Sequence, residues 1–186
     1  MERDPKLRWT AQYCSLRPDL MNAVLGRHVF RRMMQAAAEN PALDHDDPTF
    51  EFVESWYYHA AALVIRRHVR PQGNSLCLLS LLEQVATRAD VLRMSAADAD
   101  YLVAKLKAHA APIIKYADRA VAHLDKRGLP VPATVGQLDS ALDAMTEVLS
   151  RCERIFLDKE PPNPELILGS FWGNALDIAW RGNDAA

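Results

Sequence analysis

The residue types best suited to chemistry lie between Lys115 and Lys126, where an arginine and a histidine are one helical turn apart. Residues four positions apart on a helix are neighbours, so Arg119 and His123 can present their side chains to one ligand. Arginine holds phosphate groups well, and an imidazole titrates near neutral pH and can move a proton. The spacing therefore predicts phosphate chemistry. The alternative is a solvated helix surface that carries a histidine.

Helical periodicity separates a cationic stripe in this segment from an apolar one. The cationic stripe carries Lys115, Arg119, His123 and Lys126. The apolar stripe carries Ile113, Ala117, Ala120 and Leu124. We therefore expect the cationic side chains to lie away from the face that the helix buries in its own core.

Cleavage of RNA without a metal is the reaction that these groups fit. His123 could take the proton of a ribose 2′-hydroxyl or donate one to the leaving oxygen, and only RNA carries that hydroxyl. Arg119 could stabilise the charge that builds on the phosphoryl oxygens. Asp125 could orient the imidazole. In the alternative reading, Asp118 and Asp125 form surface pairs with arginine that are worth less than about 1 kcal/mol each.

A second basic group, Arg66-Arg67-His68, stands at the end of a predicted helix. Arg66 continues an apolar face of that helix, and a buried charge needs a partner, for which Asp118 and Asp125 are candidates. The alternative is that these basic residues have no partner and are stabilised only by the negative C-terminal end of the helix dipole.

The apolar face that Arg66 continues has spacings of 4, 3, 4 and 3 residues. It consists of Phe52, Trp56, His59, Leu63 and Arg66. The spacing predicts that this face is buried, with His59 as a hydrogen-bonded core histidine.

The elements that must position these groups are all predicted to be helices, because no stretch alternates as a strand does. Proline, glycine and asparagine divide the chain into helical patterns. The predicted helices cover residues 19–39, 49–70, 75–92, 95–127 and 134–157. Asp19, Thr49, Ser75, Ser95 and Thr134 are the expected N-caps. A last short helix or docking segment follows, which gives an all-α, five- to six-helix up-down bundle.

Two predicted helices carry further signals. Ser95 with Asp98 and Thr134 with Gln137 resemble capping boxes. Pro112 inside the fourth helix predicts a kink or break near residue 110. The fifth helix has a 3–4 seam that requires a helical partner, inside the bundle or in a second subunit. The seam consists of Val135, Leu138, Leu142, Met145, Leu149, Cys152 and Phe156.

Length and composition indicate one helical domain with two flanking segments. Residues 1–18 are expected to be a polar N-terminal lead-in, 19–157 the bundle, and 158–186 a proline-rich spacer with an aromatic C-terminal segment. The net charge of −2 excludes a generic polyanion binder, so a nucleic-acid site must be a local basic patch. Three scattered cysteines, no apolar leader and no membrane-length apolar run predict a cytoplasmic protein without a membrane span.

No cofactor is predicted, because the sequence has no phosphate-binding glycine loop and no metal-ligand spacing. The acidic loop Asp44-His45-Asp46-Asp47 could in principle hold a metal. It lacks further ligands at helical spacing, so a solvated loop is the preferred interpretation, and the metal prediction is none.

The segment Ala117-Asp-Arg-Ala-Val-Ala-His-Leu-Asp125 resembles the signature helix of the HEPN superfamily, with the abortive-infection U branch most similar. The helix ending in Arg66-Arg67, the turn before the Ser75-Leu start and the capped helix at Thr134 fit the order of that branch. The resemblance covers roughly residues 50–157.

This resemblance implies a helical bundle, usually a homodimer whose two signature helices meet at a cleft. It further implies metal-independent endoribonuclease activity in many members, often in phage defence or toxin–antitoxin systems with a protein partner. Other members keep the fold and only bind.

The chain departs from the family at the arginine. Active members have an arginine, four to six residues and then the histidine, whereas only three residues separate Arg119 from His123. His123 and Asp125 carry over. Either Arg119 or Arg66 replaces the family arginine, with Lys115, Arg67 and Asp118 as supporting groups, or the chain has lost the chemistry. In the competing hypothesis, Asp118, Arg66 and His123 only fix the helix register of a protein-interaction or nucleotide-binding module.

Overall fold

A computed structural model describes residues 4–40, 48–70, 72–73, 75–88, 91–92, 94–121, 133–161 and 163. These ranges form five α-helices and contain no strand, so the all-α prediction is confirmed. The helices are α1 (Pro5–Glu39), α2 (Pro48–Val69), α3 (Leu78–Ala86), α4 (Ala96–Tyr116) and α5 (Val135–Leu157). A π-helical segment, Ala117–Val121, follows α4 without interruption and is called the π-turn below. None of the described helices is long and apolar enough to cross a membrane.

The first helix starts far earlier than predicted. It is capped by Asp4 and passes through Pro18, so the expected start at Asp19 is wrong and most of the predicted lead-in is helical. Proline costs an internal helix about 3 kcal/mol. Burying Trp9 and Tyr13, which are 1% and 0% exposed, contributes roughly 1.5–3 kcal/mol for each large side chain and offsets that cost.

The predicted buried face of α2 is wrong. Phe52 and Trp56 are 70% and 66% exposed, and Leu63 is also exposed. The helix instead buries the face that carries Ala61, Ala62, Ile65, His68 and Val69. Both faces are apolar at helical spacing, and the packing against the small residues allows close approach of the neighbouring helices.

The third helix is shorter than predicted at both ends. Its N-cap is Cys77 rather than Ser75, and the Cys77 thiol and the Ser80 hydroxyl form a reciprocal capping box. The helix ends at Ala86, before the predicted end near residue 92. Five of its nine side chains are buried, so α3 contributes strongly to the core.

The caps of α4 and α5 are confirmed. The Ser95 side chain accepts a hydrogen bond from the Asp98 backbone, and Thr134 and Gln137 form both bonds of a capping box. The fourth helix continues through Pro112 to Tyr116 without the break expected near residue 110. The predicted continuation to residue 127 lies outside the described residues beyond the π-turn.

The seam of α5 finds its partners within the same chain. Its residues are buried between α1 and α4, except for Val135, which is exposed. Contacts at both ends show that α1 and α5 are antiparallel, because Tyr13 bonds to Glu153 and Arg27 bonds to Asp143. The seam therefore explains the bundle and does not require a second subunit.

Candidate functional site

The candidate site forms where the C-terminal turn of α2 meets the π-turn. Arg66 Nε donates to Asp118 Oδ1 at 2.5 Å, and Arg70 donates to the other oxygen of the same carboxylate. The hydrogen-bond network assigns the Gln72 amide oxygen toward Arg66, where it accepts from both terminal nitrogens at 2.7 Å. The predicted pairing of Arg66 with Asp118 is thereby confirmed, and we call these four residues the Asp118 cluster.

Local backbone structure brings these side chains together. Basic residues at the last turn of α2 are favoured by the helix dipole. The π-turn widens the helix immediately after α4, and single π-turns of this kind occur frequently at functional sites. It keeps Ala117 in the core at 0% exposure, and Asp118 is next to it in sequence, half-buried and in reach of Arg66.

Arg119 differs from the two arginines that bind Asp118. It is half-buried and forms no hydrogen bond or ion pair with any residue that the structure describes. The Asp118 cluster contains two arginines and one carboxylate, so Arg119 adds positive charge to a region that is already cationic. Lys115, one turn earlier, is exposed and adds further positive charge. This excess of positive charge can hold an anion such as phosphate.

Arg67 and His59 do not join the Asp118 cluster. Arg67 is exposed and binds Asp19 on α1 at 2.8 Å, so it supports the α1–α2 contact. His123 and Asp125 lie outside the described residues. His59 is half-buried, and its ring stacks near Tyr116 with a centroid distance of 6.1 Å.

Sequence reasoning missed the contact between His68 and Asp19. His68 is 1% exposed, and its Nε2 lies 3.0 Å from Asp19 Oδ2, which also accepts from Arg67. Burial lowers the pKa of His68, although the bond to Asp19 acts in the opposite direction. The neutral Nε2–H tautomer fits this environment, since Nδ1 is buried and has no partner among the described residues. Asp19, interpreted as a helix cap, is the residue that orients this ring.

A second buried polar contact joins α1 and α5. Glu153 is 1% exposed and accepts from the Tyr13 hydroxyl and from Arg17 Nε, each at 2.6 Å. Burial and the bond to Glu153 raise the pKa of Tyr13 well above its usual value. The heptad-like seam of α5 contained no signal for this contact, because Glu153 stands between two seam residues. The groups neutralise one another, so this junction is structural.

Metal-ligand geometry does not appear in the described ranges, where no three histidine, cysteine or acidic side chains are grouped to hold an ion. The acidic loop 44–47, considered as a metal loop from the sequence, lies outside those ranges. The described site is therefore a set of fixed cations around one carboxylate.

Comparison with known proteins gives no match: no protein-family model matches the chain, and neither does a curated protein or a solved structure.

Proposed function

We propose that this chain is a HEPN-like protein that acts on RNA as a metal-independent endoribonuclease. Arg119 holds the phosphate, His123 transfers the proton, and Asp125 orients the imidazole. The observation that carries the proposal is that Arg119, beside the Asp118 cluster, has no partner among the residues that the structure describes. Of the two arginines considered from the sequence, Arg66 is already neutralised by Asp118, so Arg119 is the better phosphate ligand.

The Asp118 cluster has a supporting role in this proposal. It attaches the π-turn to α2 through two arginines and so fixes the backbone from which Arg119 projects. Fixed donors stabilise a developing negative charge better than mobile ones, because little reorganisation is needed during the reaction. The charge left over from Arg70, Lys115 and Arg119 attracts a phosphodiester backbone despite the acidic balance of the whole chain.

A homodimer is part of the proposal, and α2 supplies its surface. Phe52, Trp56 and Leu63 form an exposed apolar stripe on the helix whose last turn carries Arg66. Exposed apolar groups of this kind mark interaction surfaces, and a tryptophan is a frequent anchor in them.

Three free cysteines agree with a reducing, cytoplasmic location.

The test is cleavage of a mixed RNA pool in excess chelator by the wild type, His123→Ala and the control His109→Ala. His109 is an exposed histidine of α4, away from the π-turn in sequence. Cleavage by the wild type and the control, with loss in His123→Ala, is the expected result. Equal cleavage by all three proteins, with folding verified by circular dichroism, would show that the site assignment is wrong.

A second candidate function is a non-catalytic interaction module, for example one that binds an antitoxin-like protein or a nucleotide. Its specific support is the Asp118 cluster itself, since both carboxylate oxygens are occupied by arginines as in a purely structural contact. The exposed stripe on α2 would then bind the partner. Recovery of a stable partner by the wild type but not by Trp56→Ser, without RNA cleavage by either, would favour this function.

A further inference from the structure

A cleft of about 560 Å³ lies at the opposite end of α4 from the Asp118 cluster. It is bounded by the first turns of α4, the last turns of α5 and the start of α1. Its apolar lining is formed by Val91, Leu92, Met94, Leu102 and Ile155. The rise of 1.5 Å per residue puts about 25 Å between Tyr101 at this cleft and Asp118, so the two sites are separate. We call it the α4–α5 cleft.

Two of the acidic groups in the α4–α5 cleft are already bound. Asp98 accepts from the Ser95 hydroxyl at 2.6 Å, and this bond lowers the pKa of the Asp98 carboxyl. Glu147 accepts from Lys105 at 2.5 Å. These carboxylates therefore serve the helix cap and the α4–α5 contact.

The cationic side chains that line the α4–α5 cleft are only partly paired. The side chains of Lys6 and Arg151 form no hydrogen bond or ion pair within the described ranges, although Asp98 is close enough to Arg151 to interact electrostatically. Asp158, at the end of α5, is the one lining carboxylate without a bond among the described residues. The α4–α5 cleft thus offers an apolar surface with two available cations, which suits an apolar segment that carries a negative charge.

The course of the chain after α5 points to the occupant. Asp158 adopts a left-handed conformation with φ of 52° and ends the helix, and it lines the cleft itself. Glu160 then binds Arg154, another lining residue, at 3.1 Å, and Pro161 is half-buried. The described part of the spacer therefore stays beside the end of α5 that bounds the cleft.

The residues that follow have the matching chemistry. Residues 165–172 read Glu-Leu-Ile-Leu-Gly-Ser-Phe-Trp, one acidic side chain followed by five large apolar ones. Seven residues of extended chain span about 23 Å, enough to carry this segment from Pro161 across a cleft of this size. We propose that residues 165–172 dock in the α4–α5 cleft, with Glu165 facing Arg151 and Lys6 and the apolar side chains covering Leu102 and Ile155.

Attachment to the same chain makes this occupant favourable over a separate partner. A short linker gives the tethered segment a millimolar effective concentration, so even weak contacts keep it bound. Docking would remove from water both the apolar lining of the cleft and the aromatic side chains of Phe171 and Trp172.

Hydrogen exchange read by mass spectrometry on the full-length chain tests the proposal. The proteins are the wild type, Arg151→Glu, the control Arg8→Glu and the charge swap Arg151→Glu with Glu165→Arg. Arg8 is exposed, does not line the cleft and stands two positions after Lys6, on another side of α1. Thermal unfolding checks that every variant keeps the fold.

In the wild type, amides in 165–172 should exchange at least roughly tenfold slower than in an unstructured peptide. Arg151→Glu should remove most of that protection, Arg8→Glu should keep it, and the charge swap should restore it. Unprotected exchange in the wild type would overturn the proposal. So would protection that is indifferent to Arg151→Glu, or that rises with protein concentration, which would indicate a second copy as the occupant.

Discussion

The two polar junctions of this bundle differ in how their charges balance. At the α1–α5 junction, one buried carboxylate, Glu153, is matched by the Tyr13 hydroxyl and by Arg17. At the Asp118 cluster, two arginines share one carboxylate, and the neighbouring Arg119 has no partner in the described part of the chain. Buried polar groups that serve stability alone are expected to be satisfied within the protein.

The difference separates structure from function within one fold. The Glu153 junction is complete and leaves nothing for a ligand. The region around Asp118 keeps positive charge at a half-buried position, which costs stability unless an anion binds there. Sites that bind or react often retain such uncompensated groups. We expect substitutions at the two regions to separate effects on stability from effects on RNA.

The largest expected effect is on stability at the complete junction. Glu153→Leu should lower the free energy of unfolding by about 3 kcal/mol, because Arg17 loses its counter-charge and the Tyr13 hydroxyl keeps only its long bond to the Leu149 carbonyl. Arg17 is partly exposed and can turn toward water, which keeps the loss at the lower end of the range. Urea denaturation measures it. The control Glu160→Leu, at an exposed position, should change stability by less than about 0.5 kcal/mol.

A smaller effect is expected at Asp118, and it should have opposite signs for stability and for RNA. Asp118→Asn should lower the free energy of unfolding by about 1 kcal/mol, since the pair with Arg66 is partly solvated. The same change releases the charge of Arg66 and Arg70 and should strengthen RNA binding several-fold in a fluorescence anisotropy titration. Weaker RNA binding with retained fold would show that the carboxylate itself belongs to the binding surface.

The buried His68, which lies outside both junctions, should make the stability of the fold depend on pH. Burial lowers its pKa in the folded chain below the value in the unfolded chain, so protons bind the unfolded state more readily. The free energy of unfolding should therefore have its full value above about pH 6.5 and should decrease as the pH drops below that value. His68→Gln keeps a donor for Asp19 and removes the titration. Chemical denaturation between pH 7.5 and 5.5 should show a flatter profile for this variant, while the exposed-site control His109→Gln should keep the wild-type slope.

The smallest effect on stability is expected at the exposed stripe of α2. Trp56→Ser should change the free energy of unfolding by less than about 0.5 kcal/mol, because the side chain is 66% exposed. If α2 supplies a dimer surface as proposed, light scattering should nevertheless show a dimer for the wild type and a monomer for this variant at the same concentration. A monomeric wild type at micromolar concentration would remove the dimer from the proposed function.

The sequence predicted local features better than distant contacts. The caps at Ser95 and Thr134 were predictable because each depends on a side chain three residues away. The start of α1 was not, since Pro18 was interpreted as a boundary, and only the burial of Trp9 and Tyr13 by distant helices shows that the helix continues. Tertiary packing thus overrode a local signal.

The same limit applied to the site. The sequence could predict that Arg66 pairs with a carboxylate such as Asp118, because a charged side chain on an apolar helix face needs a partner. The face that α2 buries was not, since periodicity marks two apolar faces without saying which one meets the core. Nothing local indicated that Arg66 and Arg70 would share Asp118 while Arg119 has no partner in the described ranges. That division depends on where α2 meets the π-turn.

The most direct test of the central claim is the salt dependence of RNA binding by the wild type, Arg119→Gln and the control Arg31→Gln. Arg31 is an arginine of α1 that is more exposed than Arg119 and already binds Asp139, so it has no charge to spare for RNA. Anisotropy titrations of single-stranded RNA at several salt concentrations should show weaker binding for Arg119→Gln, with a log–log salt slope reduced by about 0.7, and no change for Arg31→Gln. Equal losses in both variants, or no RNA binding by the wild type at low salt, would contradict the assignment of Arg119 as the phosphate ligand.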